Sequence, residues 1–407
     1  MTAAPARMHW GLLLAASATL MITMGARQTT GLFVAPIHRD TGIGIAAISL
    51  ALAVGQFTWG AVQPVFGAIA DKRGSTGVLV FGGVLLALGL ALTPLMPTQW
   101  GLMFTLGLLT AAGAGAGSFS ILIGATAQQL APEKRSFAAG FINAGGSLGQ
   151  FVFAPIVQFV ISAAGWAAAM YTLAVASLLA IPLAWPLRRK PVAVTAGAPA
   201  SAIGDITLRQ QISIALRDRS YWMLHLGFFT CGVHIAFLVT HLPGEIALCG
   251  LPASVSAASI ALIGLFNVAG SLVAGALGQR YRMKWILAAM YASRAVMIAL
   301  YLLSPPTPMT FYVFSAALGF TWLATVPPTA GLVGKLFGPR YLGTLFGLTL
   351  LSHQIGGFFG AWLGGVALER SGSYQWMWYA DMALALLAAV ANLPIRERTV
   401  QAQPATA

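Results

Sequence analysis

The chain is poor in charge. Only 8% of its 407 residues are Asp, Glu, Lys or Arg, and nine are acidic. A soluble domain carries about a quarter charged residues. A chain this apolar, 58% hydrophobic, cannot cover its surface against water, so its solvent is lipid. Cysteine is almost as scarce. Cys231 and Cys249 are the two, and in a helix their 18-residue spacing sets them about 27 Å apart, too far for a bridge within the chain. Redox chemistry is not expected. Also missing are His-Glu-x-x-His, Gly-x-Ser-x-Gly, a Walker phosphate loop and a pair of buried carboxylates for acid–base work. An enzyme is therefore not expected, no cofactor is called for, and ATP is not the energy source within this chain.

What the sequence has is long apolar runs. Twelve of them, each able to span a bilayer, lie near 10–36, 45–70, 76–96, 100–128, 137–161, 164–187, 220–247, 255–278, 285–303, 309–334, 341–367 and 375–394. They are numbered as spans 1 to 12. The first is too long for a typical signal-peptide core and carries Arg27, so it reads as span 1. The net charge of +13 is a topology signal rather than a nucleic-acid footprint. Of the 22 basic residues, all but Arg27, Arg39, Arg294 and Arg370 fall in one alternate set of loops. The positive-inside rule puts that set, and both termini, in the cytoplasm. Short loops and lean termini point to a bacterial cytoplasmic (inner) membrane, with no nucleic-acid partner and a monomer expected.

The longest polar stretch separates six spans from six, which gives an N-terminal bundle at 1–187, a cytoplasmic linker at 188–219 and a C-terminal bundle with a short tail at 220–407. The linker begins as a Pro/Ala/Gly tether, and its second part, "ITLRQQISIALRDRS", is mildly amphipathic. That part either lies along the anionic inner leaflet or is solvated. The halves repeat at an offset of 207 to 208 residues. Gly140, Gly149 and Gly165 match Gly347, Gly356 and Gly372; Gly67 matches Gly275; Gly25, Arg27 and Pro36 match Gly232, His234 and Pro243.

Those repeats, and "GAIADKRGS" between spans 2 and 3, resemble the major facilitator superfamily along the full length of the chain. The resemblance implies an all-α membrane protein: twelve transmembrane helices in two pseudo-symmetric six-helix bundles that alternate between inward-open and outward-open forms. Spans 1, 4, 7 and 10 would line a central cavity with a site near the midplane. It also implies gating residues in Gly67, Asp71, Lys72, Arg73 and Gly74. The Asp71 carboxylate would meet a facing helix N-terminus, and Lys72 and Arg73 would complete a charge network. The second copy of the loop is degraded, with Gln279 and Arg282 in place of Asp and Gly. "CGVHIAFLVTHLP" and "SHQIGGFFGAWLGG" are similar to bacterial monocarboxylate and oxalate/formate carriers. That branch often carries an Arg in span 8 after an Asn-x-x-Gly pattern. Here Asn267-Val-Ala-Gly270 is followed by Ser271, so the resemblance assigns no anion-binding role at that place.

Arg27 is the leading site candidate. A cation inside a span costs about 3 kcal/mol on insertion scales, and its fork fits a carboxylate. The competing reading is structural: pairing with a helix carbonyl or polar neighbour, or snorkelling. No acidic residue falls in the central part of a span, Glu245 and Asp381 being placed toward the outer ends of spans 7 and 12. The counter-ion of Arg27 is therefore expected to be the substrate. His234 is expected to face Arg27 across the cavity and to carry the coupled proton, its alternative being a hydrogen bond between helices. Gln56, Trp322 and His353 are the further substrate-binding candidates, each weighed against ordinary packing. Gln63 and the neighbouring glycines read as interhelical contacts, and Arg294 as a clamp or snorkelling side chain. Pro327–Pro328 is expected to break span 10. No metal site is expected, since His234 and His241 lie about 10.5 Å apart along one helix.

The function expected is secondary active transport of a small organic anion, a monocarboxylate, by proton-coupled alternating access. The alternative is export of larger amphipathic compounds or drugs with Arg27 structural, and the remote alternative is a transport-silent membrane sensor.

Overall fold

The computed structural model describes residues 9–188 and 206–400, and every regular element among them is helical. The Pro/Ala/Gly part of the linker lies outside the described residues. Twelve rods follow one another: Trp10–Gln28, Ile45–Arg73, Ser75–Leu95, Gln99–Ala127, two that share Pro132–Leu178 and part at Gly165, then Arg219–Leu248, Ala253–Arg280, Met283–Leu303, Pro308–Phe337, Leu342–Ser371 and Gln375–Asn392. Nine stretches among the described residues are both long and apolar enough to cross a membrane by length and composition. Spans 2, 11 and 12 carry polar side chains: Gln56 and Gln63, His353 and Gln354, and Asp381 and Asn392.

The interruptions have local causes. Span 1 ends at Gln28 and passes through a 3-10 turn, Thr30–Phe33, into a short helix, Val34–Thr41, rather than running unbroken to residue 36. The Thr29 hydroxyl takes the Gly25 and Ala26 carbonyls, and that of Thr30 takes the Arg27 carbonyl at 2.8 Å, which competes with helix propagation. Gly74 and Gly165 turn the chain with φ of 93° and 83°, a conformation open only to glycine at low cost. Span 10 breaks at residues 322–325, just before the prolines and not at them. Pro327 and Pro328 occupy the first turn of Val326–Phe337, where a missing N–H costs nothing.

Packing follows a pseudo-two-fold rule. Span 1 packs on span 5 as span 7 packs on span 11, span 2 on 4 as 8 on 10, and span 3 on 6 as 9 on 12. Contacts between the halves obey the same rule, through spans 2 with 11 and 5 with 8. The repeated glycines sit at these crossings. Gly25 and Gly149 close spans 1 and 5, Gly232 and Gly356 close spans 7 and 11, and Gly140 meets Gly275 between spans 5 and 8. A side chain at any of these would push two backbones apart. The amphipathic part of the linker forms a helix, Leu208–Arg217, opened by a capping box of Thr207 and Gln210. It is no solvated tether. Leu208, Gln211 and Ala215 are buried against the protein, and Trp222 Nε1 donates to the Leu216 carbonyl at 2.8 Å.

Candidate functional site

A cavity opens between the halves, with about 660 Å³ of space not filled by atoms when its opening to solvent is included. Spans 1, 2, 4, 7, 10 and 11 line it, through Arg27, Gln56, Trp59, Phe119, Phe228, Cys231, Trp322, Leu323, His353 and Gln354 among others, and among the described residues no acidic side chain does. Its rim reaches the exposed residues Val239 and Thr240 near the far end of span 7. Four of the sequence candidates, Arg27, Gln56, Trp322 and His353, therefore share one cavity.

Arg27 lies one residue before the end of the first helix. Its Nη2 donates to Gln56 Oε1, and its guanidinium carbon stands 4.3 Å from the centre of the Trp59 ring. The amide and the indole face hold the cation without neutralising it, because a ring quadrupole and a dipole carry no net charge. Arg27 makes none of the three ion pairs among the described residues, which are Arg39–Asp40, His234–Asp381 and Lys335–Glu397. On span 11, His353 Nδ1 accepts from Gln354 Nε2 at 2.9 Å. Gln63 does not reach the cavity. Its Oε1 accepts from Ser118 and Ser120, each at 2.9 Å, tying span 2 to the break in span 4.

His234 does not face Arg27. It is buried, does not line the cavity, and its Nδ1 meets Asp381 Oδ2 at 2.5 Å. Asp381, placed by sequence toward the outer end of span 12, is 1% exposed. The offset between spans 7 and 12 brings the seventh residue of one beside the middle of the other. The pair remains next to the cavity, because the His234 ring stands 6.0 Å from that of Trp322.

Arg294 is also fully buried, on span 9. Its Nη2 donates to the carbonyls of Thr321 and Trp322, the latter at 2.5 Å, and its Nη1 to Cys231 Sγ at 3.3 Å. Carbonyls at a helix C-terminus have no partner within the helix. Arg294 supplies one where Pro308–Thr321 ends, so the side chain is an interhelical clamp on the wall that carries Trp322.

On the face that bears the basic loops the halves are sealed. The Asp71 carboxylate, 5% exposed, accepts the N–H groups of Gly343 and Thr344 at 3.3 and 2.7 Å and the Thr344 hydroxyl at 2.7 Å. It thereby caps the N-terminus of span 11, where free N–H groups and the helix dipole favour an anion. Beside it Gly67 lies against the backbone of Gly343. Lys72 and Arg73 are exposed, and neither takes part in Arg39–Asp40, His234–Asp381 or Lys335–Glu397.

Sequence reading missed Trp59 as the platform for Arg27. The signal was there, since Trp59 follows Gln56 by one helical turn and shares its face. It also passed over Cys231 and Asn143, whose surroundings come from rods distant in sequence.

Comparisons with known proteins bear on the fold and the family. The family model described as Major Facilitator Superfamily matches residues 16–361 and 250–407. An oxalate:formate antiporter from Oxalobacter formigenes is 25% identical over 373 residues, 89% of this chain and 86% of that protein. Monocarboxylate transporter 13 from Rattus norvegicus is 26% identical over 385 residues, 90% of this chain and 83% of that one. In three dimensions, the fucose:proton symporter of E. coli aligns with a TM-score of 0.68 at 16% identity, covering 93% of this chain and 98% of that one. A proton:xylose symporter aligns with a TM-score of 0.69 at 14% identity, covering 94% of each chain.

Proposed function

The chain belongs to the major facilitator superfamily, and from that premise we propose that this transporter carries a small organic anion, a monocarboxylate, in a proton-coupled cycle across a bacterial inner membrane with both termini inside. The observation that carries the reading is Arg27: an always-charged group in a cavity that no acidic side chain among the described residues lines, held by an amide and an indole face. Burying a charge without a counter-ion is costly, and a bound carboxylate removes that cost. The relatives named for oxalate, formate and monocarboxylates point the same way. Gln56 orients the guanidinium, Trp59 and Trp322 form apolar walls for the short carbon chain, and His353 is a second donor.

His234 is the proton-coupling group, acting with Asp381 rather than opposite Arg27. Proton occupancy of the pair reaches the cavity through Trp322. Asp71 with Gly67 and Gly74 gates the basic face: capping span 11 stabilises the closed form, and the cap must break for that face to open. The second reading, export of larger amphipathic compounds, draws on the aromatic lining of Trp59, Phe119, Phe228 and Trp322.

A thermal-shift comparison of carboxylates with neutral and cationic solutes tests the choice. Carboxylates are expected to raise the melting temperature of the wild type and to lose that effect in Arg27→Gln. Stabilisation by cationic amphipaths alone, or an undiminished carboxylate shift in the variant, would sink the anion reading in favour of the exporter. Uptake of the stabilising carboxylate into proteoliposomes then addresses coupling. His234→Gln is expected to abolish acceleration by an inward proton gradient while retaining substrate exchange at equal pH. An unchanged gradient response would remove His234 from the coupling role.

A further inference from the structure

The interruption of span 10 is gripped from both halves of the molecule. On the side of its own half, Asn267 of span 8 accepts the Leu323 N–H on Oδ1 at 2.9 Å. From the other half, Asn143 of span 5 donates Nδ2 to the Leu323 carbonyl at 2.8 Å and to Ser271 Oγ at 2.7 Å. The Leu323 N–H is thus taken by the Asn267 side chain, and its carbonyl is shared between the Asn143 amide and the Val326 N–H, the latter at 3.0 Å. Asn143, Asn267 and Ser271 are all buried, so no water competes for these bonds. Both N–H bonds of the Asn143 amide are used, which fixes its orientation. Trp322 and Leu323 belong to the cavity wall, and span 5 also packs on the Val326–Phe337 segment that continues to the sealed face.

We propose that Asn143 is an interdomain latch and a positioning residue for the cavity wall: it ties the first half to Leu323 in the second, and so sets Trp322 and Leu323 against the substrate while the basic face is closed. Arg294 and Asn267 grip the same break but belong to the same half as span 10, so they move with it. Asn143 does not. When the halves part at the basic face, span 5 leaves span 10, the bond to Leu323 is lost, and the wall relaxes. The bond therefore contributes to the closed form alone and biases the equilibrium between forms. The proposal rests on alternating access, not on the carboxylate reading, and its test uses no substrate, so the two fail independently.

The test is a distance measurement between spin labels across the basic face. Labels are placed through Glu133→Cys and Arg340→Cys, both exposed positions, in a chain carrying Cys231→Ala and Cys249→Ser, reconstituted in lipid. Asn143→Leu keeps the volume and removes both donors. It is expected to raise the ratio of open to closed molecules about thirtyfold, which corresponds to about 2 kcal/mol, the net worth of two hydrogen bonds. Ser271→Ala removes one of the two bonds that Asn143 makes to the other half and keeps the Leu323 bond, so the ratio is expected to rise only about fivefold, or about 1 kcal/mol. Should Asn143→Leu not fold, Asn143→Ala, smaller and without the donors, takes its place. An unchanged distribution in the donorless variant overturns the latch, and so does a shift in Ser271→Ala as large as that in Asn143→Leu.

Discussion

Two arginines lie inside the spans of this protein, and they have opposite fates. Arg294 spends its donors on the structure: two carbonyls where a helix ends, a thiol, and a tyrosine ring at 5.2 Å. Arg27 donates to one amide and rests on one indole face, in a cavity with no acidic wall residue among the described residues. Both are costly to insert, and both would be flagged by any reading of charge in an apolar run. The role is decided by how many of five N–H donors the fold has already used, and by whether the remainder face packed protein or open space.

The comparison can be broken by experiment, and the larger effect belongs to Arg294. Arg294→Gln strands the Thr321 and Trp322 carbonyls. A loss of about 3 kcal/mol is expected, the scale for breaking a buried charged network. It would be read as a lower melting temperature in detergent, with any carboxylate-induced shift retained. A variant of normal stability that has lost the carboxylate shift would reverse the assignment of the two arginines. Arg27→Lys is expected to do less. It keeps the charge and loses the planar fork and its stacking on Trp59, so carboxylate affinity should fall about tenfold, or about 1.4 kcal/mol, with no change in stability. Undiminished affinity in a titration of the lysine variant would mean that a point charge suffices and that the fork geometry is not used.

Much of the fold was legible because it depends on properties carried by each segment alone. Run length and alternating loop charge gave the spans, and the glycine offsets gave the pseudo-symmetry whose meaning is backbone contact at Gly25–Gly149 and Gly232–Gly356. The Asp71 loop was legible too, because a carboxylate at a helix N-terminus is a local chemical demand. Placement of His234 went wrong for a definite reason. Its symmetry partner Arg27 sits where span 1 is about to unwind, whereas His234 lies within an unbroken helix beside span 12, so equal positions in the repeat meet unequal surroundings. Span 10 misled similarly: prolines mark where a helix begins as readily as where one ends.

The sequence by itself determined the solvent, the number and alternation of the spans, the relation between the halves, and the presence of cations that a bilayer does not tolerate without cause. Hydropathy, charge and glycine spacing act along one chain, and they suffice for that. Only the tertiary structure decided which polar groups meet: Arg27 with Trp59, His234 with Asp381, Arg294 with the end of a helix, Asn143 with Leu323. Those pairings depend on the axial offset and rotation of helices far apart in sequence, which small residues at many crossings set together and no single segment encodes.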